Sequence, residues 1–242
     1  MKVYIGCSGY HYDGWKDKFY DPALPKTKWL DYYARHFNSL EVNNSFYRLP
    51  KKKHSRRWYE HTPDDFIFTV KGSQFITHRK KIKVDDMLMD GLGKLYDVAA
   101  VLKENLGCIL WQLPGNLKYK QERLERFCSA VDHDFRNVLE FRDISWFNEE
   151  AYSIMRQYGV GYCALSAPNN LPEDLLLTSS FAYLRFHGKN QWYHYLYHEE
   201  ELSHWKDSIA QLTPQPEELY AYFNNDVDAN AVKNAQQLAE ML

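Results

Sequence analysis

Eight short apolar segments recur along the chain: VYIGCS, LEVNNS, FIFTVK, CILWQL, VLEFR, GYCALS, YLRFHG and LYAYFNN. Most are separated by stretches with the three-and-four spacing of an amphipathic helix. The clearest stretch starts after Asp85, the expected N-cap, sets Leu88, Leu92, Leu95, Ala99, Leu102 and Leu106 on one stripe, and stops at Gly107. A last helix is expected after Asp228, with Val232, Ala235, Ala239 and Leu242 at the same spacing. Strand and helix alternating eight times predict an α/β chain folded as one TIM (β/α)8 barrel. All 242 residues fit one such domain, and no Ser/Gly/Pro-rich linker divides them.

Within each segment the side chains alternate between two faces. The more apolar face is taken to meet the helices. On that basis Leu40 and Val42 leave Glu41 and Asn43 facing inward, Phe68 and Val70 leave Thr69 and Lys71, and Trp111 and Leu113 leave Gln112. Leu139 and Phe141 likewise leave Glu140 and Arg142, Leu184 and Phe186 leave Arg185 and His187, Phe223 leaves Asn224, and Ile5 and Cys7 leave Ser8. The stretch LEFRDISWF is the sharpest case, because parallel strands are ordinarily apolar on both faces. Nearly every inward polar residue stands at the C-terminal end of its segment, where barrels of this type build their sites. Two readings of that rim are open: a binding pocket, or a layer of ions that merely pair, Glu140 with Arg142 or Glu41 with Arg185.

Hydrophobic residues at 45% and charged residues at 26% exclude a disordered or fibrous chain. Cys7, Cys108, Cys128 and Cys163 show no C-x-x-C spacing, and three of them fall in strand segments, so they read as reduced core residues. The chain opens MKVYIGCSG, directly into a strand, and has no apolar run near the roughly 20 residues that span a bilayer. A cytoplasmic location with no membrane partner is therefore expected. The net charge of −2 gives no bulk argument for nucleic acid. Two basic runs, KKKHSRR (51–57) and HRKKIK (78–83), nevertheless follow the second and third strands on the mouth side. Aromatic residues make up 16%, enough for Trp15, Trp146, Trp192 and Tyr193 to be considered as stacking surfaces for bases or sugars.

Long motifs in consistent order, IGCSGYHYDGW, FYDPALP, WLDYYARHFNSLEVNNSFYRLP, TPDDFIFTVKGSQFITH, LGCILWQLP, LEFRDISWF, YLRFHG and FNNDVDANAVKNAQQL, resemble the domain of unknown function 72 family, also called YecE-like. The resemblance covers nearly the whole chain. It implies a TIM barrel and brings no settled activity. Family motif positions fall on Ser8, Gly9, Trp15, Glu41, Asn43, Tyr47, Lys71, Thr77, His78, Gln112, Pro114, Glu140, Arg142, Trp146, Arg185, His187, Gly188, Asn224 and Asn225. Tyr10 and His11 stand inside the first motif and join the ligand-binding candidates. One departure is the sixth strand, which ends LSAP where relatives are expected to carry an Asp near Ser166.

Gly188 lets backbone approach a ligand, and FNNDVDANA passes from a strand end to a helix N-terminus whose free N–H groups attract phosphate. The alternative is turn and capping chemistry, with Asn225 in a turn and Asp228 as N-cap. With Lys71, Arg142 and Arg185 at the mouth, the expected ligand is acidic and phosphate-bearing, a small molecule or nucleic acid, and its hydrolysis is an extension of that reading. Glu41 and Glu140 are the expected acid and base. Lys71 is expected to lower the pKa of a nearby carboxylate, and His187 to shuttle protons near neutral pH.

Two other uses of the same residues stand beside this one. A carbohydrate or sugar-phosphate enzyme would use the paired Glu residues with Trp15 and Trp146 as platforms. A non-catalytic module would hold a protein or RNA partner on its basic and aromatic surface. His11, His78, His187, Glu41, Glu140 and Asp226 are metal-ligating types, yet no H-x-H or H-E-x-x-H spacing occurs and three cations stand among them, so no metal is assigned. GCSGY is not a G-x-S-x-G nucleophile elbow, because its second glycine comes one residue early. The residues name no cofactor and no oligomeric state.

Overall fold

The apolar segments are the strands of a closed parallel barrel. In the computed structural model, which describes residues 1–242, they are β1 (Lys2–Cys7), β2 (Ser39–Val42), β3 (Ile67–Lys71), β4 (Leu106–Gln112), β5 (Arg136–Glu140), β6 (Gly161–Ser166), β7 (Phe181–Phe186) and β8 (Glu218–Phe223). Each pairs with the next, and β8 pairs with β1 in register from Lys2–Glu218 to Cys7–Phe223. The helices are α1 (Trp29–Tyr33), α2 (Asn44–Tyr47), α3 (Lys52–Glu60), α4 (Asp86–Ala99), α5 (Gln121–Ala130), α6 (Glu149–Gln157), α7 (Glu199–Ala210) and α8 (Asn230–Met241).

The two faces of each strand separate as their alternation predicts. Leu40, Val42, Phe68, Val70, Ile109, Trp111, Leu139, Phe141, Leu184, Phe186, Leu219 and Phe223 join the helices in one core. Ile67, Cys108, Leu110, Val138, Cys163, Leu165, Phe181, Tyr183, Tyr220 and Tyr222 form a second, smaller cluster inside the barrel. Full burial of such side chains contributes about 1.5–3 kcal/mol each, so the lumen is a packed plug and any site must sit above it. The buried tyrosine hydroxyls need partners and find them among the barrel's own polar groups. Tyr222 lies 2.5 Å from Ser39 Oγ and 3.0 Å from Thr69 Oγ1, and Tyr183 donates to Glu41 Oε2 at 2.6 Å. All four cysteines are free and buried, and no helix is long and apolar enough to cross a membrane.

Several expectations are corrected. No helix joins β6 to β7: the connection is a non-helical strap whose Leu175, Leu176 and Leu177 pack against the outer core in its place. The helix capped by Asp85 does begin there, with the carboxylate accepting from Leu88 N at 2.9 Å, worth about 1 kcal/mol. It ends at Ala99, however. A 3-10 segment with a left-handed Lys103 (φ 51°) follows, and Leu106 already belongs to β4. In α8 the stripe closes with buried Leu238, while Ala239 and Leu242 are exposed. Asp228 does not cap α8: its φ is 59° and its carboxylate pairs with Lys18 at 2.5 Å. The KKKHSRR run forms a loop residue and the first turns of α3, where only Ser55 and Trp58 are buried.

Candidate functional site

Polar side chains from five strands meet just above the plug. Glu41, Glu140, Arg185 and His187 are all 0% exposed. The Arg185 guanidinium spans the barrel axis, giving Nη2 to Glu41 Oε1 at 2.6 Å and Nη1 to Glu140 Oε2. Arg142 donates Nε to the other Glu140 oxygen and approaches His187 Nε2 with Nη2 at 2.9 Å. Ser8 Oγ accepts weakly from Arg185 at 3.4 Å, and Asn43 donates to the Ser8 carbonyl at 3.0 Å. His187 Nε2 faces guanidinium donors from both arginines, so it carries the lone pair and Nδ1 carries the proton. Asn224 Nδ2 stands 3.1 Å from Nδ1, and a flipped amide would present its oxygen to that proton.

This wiring fixes the charge states. Burial would raise the Glu140 pKa, but the guanidinium groups of Arg142 and Arg185 outweigh it and hold the carboxyl well below its ordinary range. Burial, with Arg142 and Arg185 adding to it, pushes His187 well below an ordinary histidine against the opposing pull of Glu140. The neutral form of His187 is therefore favoured, against the charge change near neutral pH expected of a proton shuttle. Glu41 and Glu140 share the Arg185 guanidinium, so neither stands as a free carboxylate in this structure. The rim is partly the satisfied ion layer that was the alternative reading: two carboxylates matched by two arginines.

Two features exceed that balance. Arg142 keeps Nη1 without a protein partner and lies with Cζ 4.4 Å from the centroid of Trp192. Lys71, 9% exposed at the end of β3, takes part in none of the rim's ion pairs. Its Nζ sits 4.6 Å over the ring of Phe46, and its carbonyl is fixed by Ser45 Oγ of α2 at 2.6 Å. Burial first, and then Arg185, lowers Lys71 to about 7 against the opposing pull of Glu140 and Glu41. His78 is lowered too, by burial first and then by Lys71 and Arg142.

Above these residues lies an open cleft of about 540 Å³, lined by His78, Lys81, Gln112, Pro114, Asn116, Arg142, Asn169 and Trp192 among others, with no carboxylate in the lining. His78, Gln112 and Arg142 were predicted from sequence as ligand-binding residues. Trp192 was predicted as a stacking surface, and Lys81 was visible only as part of a basic run. Asn116 and Asn169 lie in loops without periodicity and left no signal.

Other predicted residues lie elsewhere. Trp15 and Trp146 are fully buried. Their indole N–H groups donate to Asp226 O at 2.9 Å and Leu117 O at 2.6 Å, so they lock loops to the barrel and offer no stacking face. Asn225 is also buried, donating to Tyr195 O and Asn234 Oδ1, and is not open to an anion. Gly188 adopts φ +100°, and its N–H donates to Tyr197 OH at 2.9 Å; a Cβ there would meet Gln191 O at 2.5 Å, so it serves the turn and not a ligand. Tyr10 and His11 line a separate depression with Lys26, Asp31 and His54, and Tyr47 is 75% exposed. Ser166 donates to Glu173 Oε1 of the strap at 2.8 Å. No three His, Cys, Asp or Glu side chains gather as a metal-ligand group.

A family model described as "Protein of unknown function DUF72" matches residues 4–242. The protein YunF of Bacillus subtilis is 29% identical over 99% of this chain and 94% of its own length. The protein YecE of Escherichia coli O157:H7 is 31% identical over 57% of this chain and 52% of its own length. A crystal structure of a DUF72 family protein from Thermotoga maritima superposes with a TM-score of 0.88 at 29% identity, covering 100% of this chain and 99% of that one. A D-psicose 3-epimerase, at 10% identity and TM-score 0.52 over 90% of this chain and 92% of that one, shares the barrel fold. Motif order, barrel geometry and a match of nearly full length agree: the chain belongs to the DUF72 protein family.

Proposed function

We propose that the barrel mouth binds a small anionic ligand, carboxylate- or phosphate-bearing, between Arg142, Lys81 and His78. The observation that carries this reading is the charge of the cleft: Arg142 and Lys81 line its roughly 540 Å³ and no carboxylate does. The paired rim beneath, Arg142 included, is neutral, so Lys81 supplies the net positive charge of the cleft and the free Nη1 edge of Arg142 supplies donors. The volume suits a small molecule. Hydrolysis by a Glu41–Glu140 pair is not part of the proposal, because both carboxylates are engaged by Arg185.

The test is calorimetric titration with a panel of phosphorylated and carboxylated small molecules at low and high salt. At least one member binds, and its affinity falls as salt rises. Lys81→Glu, at an exposed position, weakens it about tenfold or more, since tenfold corresponds to about 1.4 kcal/mol. Binding by no member, or binding indifferent to both salt and Lys81→Glu, removes the reading.

A second reading, a polyanion such as single-stranded nucleic acid, is favoured by a separate depression of about 440 Å³ lined by Arg48, Lys51, Lys53 and His54, again without a carboxylate. It predicts a steep salt dependence that flattens when Lys51 and Lys53 are replaced by Ala. Salt-insensitive or absent association with single-stranded, duplex and abasic nucleic acid excludes it.

A further inference from the structure

We propose that Lys71 is an amine nucleophile that forms a Schiff base with the ligand, which makes the ligand an aldehyde or ketone carrying a carboxylate or phosphate. The inference rests on the anion reading above and adds the chemical class. Its ground is position. Lys71 stands at the C-terminal end of β3 with its Nζ 4.6 Å over the Phe46 ring, nine-tenths buried, and it takes part in none of the rim's ion pairs.

The groups packed around Lys71 explain why. From β5 and the residues after it come Glu140 and Arg142, from β7 Arg185, from β2 Glu41, from the turn after β3 His78, and from α2 the face of Phe46. Glu140 is clamped between two guanidiniums and Glu41 between Arg185 and the Tyr183 hydroxyl, so neither is left for the ammonium. A lysine serving only to fill this space would be better replaced by Met or Leu, which lose nothing when water is excluded. An amine kept out of water next to cations is instead disposed to lose its proton, which frees its lone pair. The lowering of Lys71 to about 7 agrees. The Arg142 Nη1 edge and Lys81 stand in the adjoining cleft, where an anionic tail would hold a carbonyl toward the rim.

The step balances without an oxidant or reductant. The Nζ lone pair attacks the carbonyl carbon, the C=O π pair moves to oxygen, and the proton leaving nitrogen is taken by that oxygen. A second proton, drawn from solvent, lets the oxygen depart as water. Amine, carbonyl and one proton enter; iminium and water leave. The iminium then draws electrons from neighbouring C–H and C–C bonds, which is the use of such an adduct.

The test is trapping at pH 7 with sodium cyanoborohydride, using glyoxylate and glycolaldehyde phosphate as probes and neutral glycolaldehyde as control, read by intact mass and peptide mapping. About half of Lys71 is free amine at that pH, against about 1 in 2,500 for an ordinary lysine near 10.4. Allowing for lower intrinsic basicity, labelling of Lys71 should exceed that of the average surface lysine by at least about a hundredfold. The adduct should be lost in Lys71→Arg, and mapping the unaltered chain keeps the test independent of that variant's folding. Labels scattered over surface lysines, or an undiminished adduct in Lys71→Arg, overturn the proposal. Inorganic phosphate binding with no Lys71 adduct overturns it while leaving the anion reading in place. Equal labelling of Lys71 by neutral glycolaldehyde overturns the proposed anionic class of the carbonyl ligand, and the anion reading with it.

Discussion

Replacing Lys71 by Met keeps a side chain of similar length and apolar stem and removes the ammonium. An unfolded lysine titrates near 10.4, whereas burial and the neighbouring Arg185 bring folded Lys71 to about 7. Between these values the unfolded chain holds a proton that the folded chain lacks, so this group makes the wild type more stable as pH rises. Below 7 both states hold the proton and the unfavourable contribution is constant. From pH 7 to pH 9 linkage gives the wild type a gain of about 2 kcal/mol from Lys71 alone. Lys71→Met has no such group, and all other titrations are common to both proteins. Any gain in stability that the variant shows at pH 7 should therefore shrink by about 2 kcal/mol at pH 9. Urea unfolding followed by tryptophan fluorescence at pH 7, 8 and 9 measures it. A difference that stays constant across this range would mean that Lys71 is an ordinary charged lysine, and the argument for a free amine at the mouth would fail with it.

Glu140→Gln should destabilise the fold by about 3–5 kcal/mol at pH 7, because it leaves Arg142 and Arg185 buried with half their compensation gone. The folded Glu140 pKa is depressed, so the wild-type advantage is present above about pH 4.3 and narrows as pH falls below it; chemical denaturation at pH 7 and pH 3 reads both effects, and an advantage that grows on acidification contradicts the assignment. Trp146→Phe should leave the affinity of any cleft ligand within about twofold and cost about 1 kcal/mol through the lost bond to Leu117 O. A large loss of affinity at unchanged stability would restore Trp146 as a ligand contact. Gly188→Ala forces a side chain onto φ +100° and against Gln191 O, and a thermal melt should show a loss of more than about 1 kcal/mol; an unchanged melting temperature refutes the turn's stated role.

Strand periodicity made the barrel legible in detail. Because neighbouring side chains point to opposite faces, Glu41, Lys71, Glu140, Arg185 and His187 could be sent to one rim from their positions alone, and they meet there. Which of them touch depends on their angular order around the cylinder, so the fork of Arg185 between Glu41 and Glu140 was not legible. Nor was the lowered pKa of His187, which follows first from its burial and then from Arg142 and Arg185. Trp15 and Trp146 misled because a tryptophan in a loop reads as a surface, whereas each folds back in a 3-10 turn and buries its ring. The missing helix between β6 and β7 left only weak signs: left-handed Asn169 and Asn170, and three consecutive leucines with no helical stripe. Phe46 and Ser45, which hold Lys71 in place, sit on a helix of four residues, too short for any periodic pattern.

Crystals soaked in selenate and measured at the selenium edge would locate an oxyanion without any assumption about the natural ligand. An anomalous peak between Arg142 Nη1 and Lys81, below Trp192, is the expected result. Peaks confined to other surfaces, with that cleft empty at saturating selenate, would contradict the account.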